Sequence, residues 1–322
     1  MGRYLLRRSA LAIASLFALT TLVFVGVNFL PGDPATAVLG KSATPEKVAS
    51  IQKALGLNKP IWEMYTNWIT HALQLDFGHS LTYGTGAYGY SDAVQGTAVS
   101  KLIGGSLKNT AILASVSMIL LIIVSLSLGV YSAMHRGSIA DSGVQFFGLF
   151  FLGLPEFVLG ALIIIAFAFY WPILPAISLD VTPKNLVLPV LTLVLVMMGS
   201  TVRLVRVGVI EVLKTNYVVT ARLRGIPERR IIMRYVIPNA IAPVMQVFAI
   251  ATGLFVGGVV VVEYLFGYPG IGTGFVSAAS GRDYPVVQAY AVVLGCTYIV
   301  ANFAVDLIAL LTNPKMRAKA TS

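Results

Sequence analysis

Residues Asn109–Tyr131 read Asn-Thr-Ala-Ile-Leu-Ala-Ser-Val-Ser-Met-Ile-Leu-Leu-Ile-Ile-Val-Ser-Leu-Ser-Leu-Gly-Val-Tyr, with no charged side chain anywhere in the run. At a rise of 1.5 Å per residue, about 20 such residues cross the ~30 Å hydrocarbon core of a bilayer, so the stretch is predicted to be a transmembrane helix. Five more runs of this kind lie around it: Ser9–Leu30, Val144–Tyr170, Leu186–Val202, Ile241–Val262 and Val286–Leu311. Pro31, Pro172, Pro189 and Pro285 stand at or near their ends, where a missing N–H is tolerated. The predicted fold class is all-α, a polytopic membrane protein of six transmembrane helices.

Composition supports the same class. Of 322 residues 57% are hydrophobic and only 11% charged, whereas a soluble domain carries roughly 25% charged residues. The net charge of +10 would suggest nucleic acid in a soluble chain. With the N-terminus placed in the cytoplasm, however, the inner segments hold 15 Lys and Arg against Asp141, Glu211 and Glu228, while the outer segments hold eight basic and eight acidic residues. The whole excess is therefore orientation charge, with lipid as the surrounding partner and no nucleic acid needed. The first run follows Arg3, Arg7 and Arg8 and precedes an Ala35-Thr36-Ala37 that imitates a signal-peptidase site, but it exceeds the roughly 7–15 residues of a signal core and is expected to persist as a span.

The expected organisation is a cytoplasmic N-terminus (1–8), span 1 (9–30), an extracytoplasmic segment (31–108), a core of spans 2–6 (109–312) with an inner segment (203–238), and a cytoplasmic tail (313–322). In the outer segment a helix is predicted from Pro45 to Leu55, with Thr44 as N-cap and Gly56 closing it. A second, from Pro60 to about Leu75, spaces Ile61, Tyr65, Trp68, Ala72 and Leu75 on one face and is expected to lie along the membrane surface. The Gly- and Tyr-rich stretch Gly84–Gly96 is expected to be a flexible loop. In the inner segment Gly208–Arg224 is predicted as one helix and Pro227–Val236 as another, with Gly225 as C-cap and Pro227 at the first helical position. Such a helix-turn-helix is too short to own a core and needs another protein to pack against.

Catalytic motifs are missing. Gly84-Thr85-Gly86-Ala87-Tyr88-Gly89 matches the dinucleotide pattern by letter, but it sits in a loop, without the strand and helix that make the pattern bind. No phosphate loop, serine elbow or paired-histidine motif occurs, so neither an enzyme nor a bound cofactor is expected. The lone Cys296 and the scattered His71, His79 and His135 offer no metal-ligand spacing. Two acids fall inside predicted spans. An acid at mid-membrane costs about 2.5–3.5 kcal/mol, which makes Glu156, next to the helix-bending Pro155, a translocation-path candidate as well as a structural one. Asp306 is expected to pair with Arg203 or Arg206.

Several ordered motifs carry a resemblance that covers nearly the whole chain. They are Phe29-Leu30-Pro31-Gly32-Asp33-Pro34, Leu55-Gly56-Leu57, Asp76-Phe77-Gly78-His79-Ser80-Leu81, the stretch Glu211 to Gly225 with Asn239-Ala240 and Pro243 after it, Val262-Glu263 to Gly272, and Arg282-Asp283-Tyr284-Pro285. Together the chain resembles the permease subunits of ABC importers in the dipeptide, oligopeptide and nickel family, with 211–225 similar to their EAA loop. Thr312-Asn313-Pro314-Lys315 departs from the usual tail of that family, and the Gly84–Gly96 loop is about ten residues longer than usual. The resemblance implies a bacterial plasma (inner) membrane location with both termini cytoplasmic. It also implies a homologous permease subunit as neighbour, two ATP-binding cassette ATPase subunits inside, a substrate-binding protein outside, and short peptides as cargo ahead of sugar-like solutes or nickel. By resemblance, Glu211, Tyr217, Thr220, Ala221, Arg222, Gly225 and Ile226 are the residues of ATPase coupling. The competing class, a self-sufficient channel or ion-coupled carrier, predicts a mid-membrane cluster of charges or an internal repeat.

Overall fold

In a computed structural model the described residues are 2–28, 36, 43–54, 58–82, 97–240 and 258–312. They form α1 (Gly2–Asn28), α2 (Pro45–Ala54), α3 (Ile61–Leu73), α4 (Val99–Met134), α5 (Ile139–Leu152) and α6 (Glu156–Ile164, continued as a π-helix over Ile165–Tyr170). Next come α7 (Pro183–Leu213), α8 (Asn216–Leu223), α9 (Glu228–Ile231, continued as a π-helix over Ile232–Val236), α10 (Gly258–Phe266), α11 (Ile271–Ser280) and α12 (Tyr284–Thr312). Among the described residues the one β pairing is an isolated bridge between His79 and Ala98. Four helices are long and apolar enough to cross a membrane, and the number rises to six if α5 with α6 and α10 with α11 each make one broken span. Most of the predicted fifth span, the Gly84–Gly96 loop and the tail after Thr312 lie outside the described residues.

The third span departs most from expectation. It is not a continuous Val144–Tyr170 helix but two helices bent by 103° at 153–155. Pro155 has no N–H to donate and disfavours a helical conformation at Leu154, so α5 ends at Leu152 and a new helix starts after Pro155 (φ −57°, ψ 139°). Glu156 is therefore the first residue of α6, at the bend and not inside a continuous helix. Pro189 falls inside α7, where it removes the bond to the Asn185 carbonyl four residues back. The Ser178 hydroxyl donates to that carbonyl at 2.7 Å and restores the pairing. The predicted Gly208–Arg224 helix is also two elements. α7 runs to Leu213, the chain turns at Lys214-Thr215, and α8 starts at Asn216.

The chain divides into two compact units, one of residues 10–110 and 269–299 and the other built mainly from residues 111–268. In the first, Val27, Val99, Ile103, Ile271, Ala278 and Val286 belong to one buried cluster. α3 turns its aromatic face onto α1: the Tyr65 ring meets Phe24 edge-on at 5.2 Å, Trp68 lies 5.7 Å from the same ring, and the Tyr65 and Thr21 hydroxyls are 2.8 Å apart. Part of the stripe predicted for the membrane surface is thus consumed within the protein, while Ile61 and Trp62 stay exposed.

Two of the quoted motifs meet in this unit. Asp283 is fully buried, and its Oδ2 accepts from the Ser80 hydroxyl (2.5 Å), the Leu81 and Thr82 amides (3.0 Å each) and the Thr82 hydroxyl (2.8 Å). The end of α11 aims this carboxylate. Arg282 takes a left-handed φ of 54°, its amide bonds to Ala279 O, and the Asp283 amide reaches back to Ala278 O at 2.9 Å.

In the second unit α7 lies at the centre, with Leu188, Leu193, Val205 and Val209 buried among α4, α6 and α10 side chains. Arg206 is committed here, but to a different acid from the one expected. It forks onto Asp141 with Nε and Nη2 at 2.8 and 2.6 Å from the two carboxylate oxygens, and the Asp306 side chain lies outside the described residues.

Candidate coupling corner and intramembrane carboxylate

The inner helix-turn-helix is built around one glycine. α8 ends with Gly225 at φ +76°, where a side chain would strain the backbone although nothing lies within 4 Å of the position a Cβ would take. The Gly225 amide bonds to Arg222 O (2.9 Å) and the Ile226 amide to Ala221 O (3.2 Å). These are the two bonds of a Schellman turn, which satisfy the last carbonyls of α8 and direct the chain into Pro227 and α9. The expected positive φ at Gly225 is what the structure contains.

The two short helices have an anchored side and a free side. Val218, Ala221 and Ile231 are buried in the core of the chain, with Ile226 packed beside them. Of the residues singled out for coupling, Ala221 and Ile226 therefore face the protein's own interior. Glu211, Tyr217, Thr220, Arg222 and Gly225 remain exposed, Glu211 on the last turn of α7 rather than at the corner. Arg222 and Glu228 clasp the turn from outside, with Nε at 3.2 Å from Oε2, and this bond holds the guanidinium even further above its ordinary range, so it stays charged. Sequence reasoning missed Leu223. It sits at the tip with 84% of its surface exposed, a leucine between Arg222 and Arg224 in the sequence. Its signal was present as an apolar residue out of phase with Val218 and Ala221, one turn from a glycine corner.

Glu156 is half-buried, and its carboxylate lies against the backbone of α10, where a Cβ added to Gly258 would come 2.7 Å from Oε2. A glycine at 258 leaves the room that the carboxylate occupies. As the first residue of α6, Glu156 also sits at the end of that helix where backbone amides leave partial positive charge. Among the described residues no three His, Cys, Asp or Glu side chains converge as metal ligands.

Four to six helices of membrane-spanning length and character, an acid held between helices and an exposed face on the inner helix-turn-helix define a polytopic membrane protein. Residues 125–318 match the family described as the binding-protein-dependent transport system inner membrane component, and residues 1–114 match the N-terminal part of the membrane component of these systems. The chain belongs to this family. It is 31% identical over 325 residues to the oligopeptide transport system permease protein AppB of Bacillus subtilis, covering 98% of this chain and 99% of that one. Identity is 31% over 319 residues to the glutathione transport system permease protein GsiC of Salmonella typhimurium (99% and 100% covered). It is 30% over 321 residues to the metal-staphylopine import system permease protein CntB of Staphylococcus aureus (98% and 99% covered). The chain is thus a multi-pass inner-membrane permease of a binding-protein-dependent ABC importer, a component that is not itself catalytic, and the ion-coupled carrier reading falls away.

Proposed function

We infer that this permease carries short peptides inward, forming the path with a homologous permease, receiving cargo from an extracytoplasmic binding protein, and driven by two ATPase subunits seated on the α8–α9 corner. Both termini and that corner then face the cytoplasm, a reading that the distribution of Lys and Arg favours. The observation that carries the reading is the two-sided corner: an interior face locked by Val218, Ala221 and Ile231, and an outer face where Leu223 stands uncovered beside Tyr217 and Thr220. A chain without a nucleotide site obtains work only through such a surface, by shifting between two packings as its partner closes and opens.

Peptides are the cargo class best supported. Relatives are named for oligopeptides and for glutathione, itself a peptide, and the Glu156 carboxylate is suited to meet a peptide's amino terminus. The test is purification of the permease from its source membrane, followed by reconstitution with the ATPase chains that accompany it and with the binding protein. Peptide-stimulated ATP hydrolysis, with uptake lowered about tenfold by Glu156→Gln through loss of a charged contact worth ~1.4 kcal/mol, is the expected result. Stimulation by a metal–chelator complex and not by peptides would overturn the peptide assignment. Unchanged uptake in Glu156→Gln would remove Glu156 from the path.

A further inference from the structure

Helices α5 and α7 pack along one another, and two of their contacts stand in matching register. Gly148 and Gly199 bring the backbones together, a Cβ on Gly148 falling 3.2 Å from the Cα of Gly199. Seven residues back along α5 and seven residues on along α7 lie Asp141 and Arg206, so the helices run antiparallel and the two contacts fall on the same pair of faces. They are spaced about 10 Å apart along each helix.

The outer of these contacts, toward the helix ends, is built with care for every oxygen. Asp141 Oδ1 accepts from Arg206 Nε (2.8 Å) and the Ser132 hydroxyl (2.5 Å), and Oδ2 accepts from Arg206 Nη2 (2.6 Å) and the Gly137 amide (2.9 Å). Gln145 Nε2 donates to the Ser132 hydroxyl at 3.1 Å. Asp141 is nearly buried, and a charge taken out of water needs such a full set of partners. Ser132 belongs to α4, which also packs tightly on α7 where a Cβ on Gly129 would come 2.6 Å from Val205 Cγ1.

The glycine contact lets the backbones approach, and the ion pair fastens the same interface about 10 Å nearer the corner. The position of the second contact gives it consequence. Arg206 lies two turns before the end of α7, from which the chain enters the α8–α9 corner, and Asp141 opens the helix whose other end leads through 153–155 to Glu156. We propose that the Asp141–Arg206 pair is a positioning strut that makes α5 and α7 move as one body, so that displacement of the corner is delivered to Glu156. The strut rests on the reading of the corner as the ATPase seat. Without it, the corner end of α7 shifts relative to α5 and the motion is spent locally.

The test uses the full complex in lipid nanodiscs, with Cys296→Ser as background and spin labels on cysteines replacing the exposed Phe147 of α5 and Leu204 of α7. Distances are compared between the nucleotide-free state and the state trapped with ADP and vanadate. Asp141→Asn with Arg206→Met removes both charges together, so neither is left buried alone. The expected result is one unchanged distance across the two states in the parent and a shifted or broadened distance on trapping in the double variant. If that variant fails to assemble, Arg206→Lys decides, because it keeps the charge but not the two-pronged geometry and is expected to show a smaller shift of the same kind. Parent-like distances in the assembled variant overturn the strut. If no ATPase chain accompanies the parent, the reading of the corner fails and the strut falls with it.

Discussion

The corner at Gly225 and the junction at Asp283 end a helix by the same two backbone bonds, yet they do so at different cost. At the corner the left-handed residue is glycine, which accepts φ +76° freely, and the turn leaves its outer face bare. At the junction the same position is Arg282 at φ 54°, a conformation that costs an ordinary residue about 1–2 kcal/mol, and the turn delivers a buried carboxylate to four donors of the 80–82 segment. α3 ends in the same way, with Leu75 at φ 60° and the Asp76 amide on His71 O. The comparison separates a turn that leaves a face bare from a turn that serves the chain's own interior. At the junction four bonds to one carboxylate offset that strain, whereas the end of α3 carries it at the exposed Leu75.

The largest expected effect therefore lies at the junction. Asp283→Ala leaves the buried Ser80 hydroxyl and Leu81 amide without their acceptor and should cost about 3 kcal/mol or more, seen as a lowered detergent melting temperature and poor recovery of the permease. Stability near that of the parent would mean that the four bonds are individually dispensable. Gly225→Val comes next. The strain of about 1–2 kcal/mol is confined to an exposed turn, so the chain should insert at normal levels while ATPase association and uptake fall. Loss of folding instead would place the corner in the same class as the junction. Arg282→Gly is the smallest and has the opposite sign. Relief of the left-handed strain should leave melting unchanged or raise it slightly, offset by the extra freedom of glycine when unfolded. A clear loss would show that the exposed Arg282 side chain holds a partner.

The same contrast explains what could be read from the residue order. Spans 1, 2, 4 and 6 are runs of one apolar character, each legible within its own stretch of sequence. Gly225 was legible because a glycine two residues before a proline, after a helical pattern, has few other uses. Short-range signals were also overlooked: Thr215-Asn216, good residues with which to start a helix, mark the break between α7 and α8. Pro155 announced a bend, but its size depends on what α6 packs against. The bonds between Asp283 and Ser80, and between Asp141 and Arg206, join residues 203 and 65 positions apart, and no periodicity in one sequence carries that distance. Arg206 was thus expected at Asp306, whereas it binds Asp141, which no pattern in the sequence links to it.

The bare face of the corner is the centre of the account, and Leu223 is its most exposed apolar side chain. The direct measurement is the ratio of ATPase to permease recovered after purification of Leu223→Asp, a change at the tip that touches none of the buried anchors Val218, Ala221 and Ile231. The account predicts a permease with the parent's melting temperature and little or no ATPase bound. Recovery of both ATPase subunits at the parent's ratio, with parent rates of uptake, would contradict it.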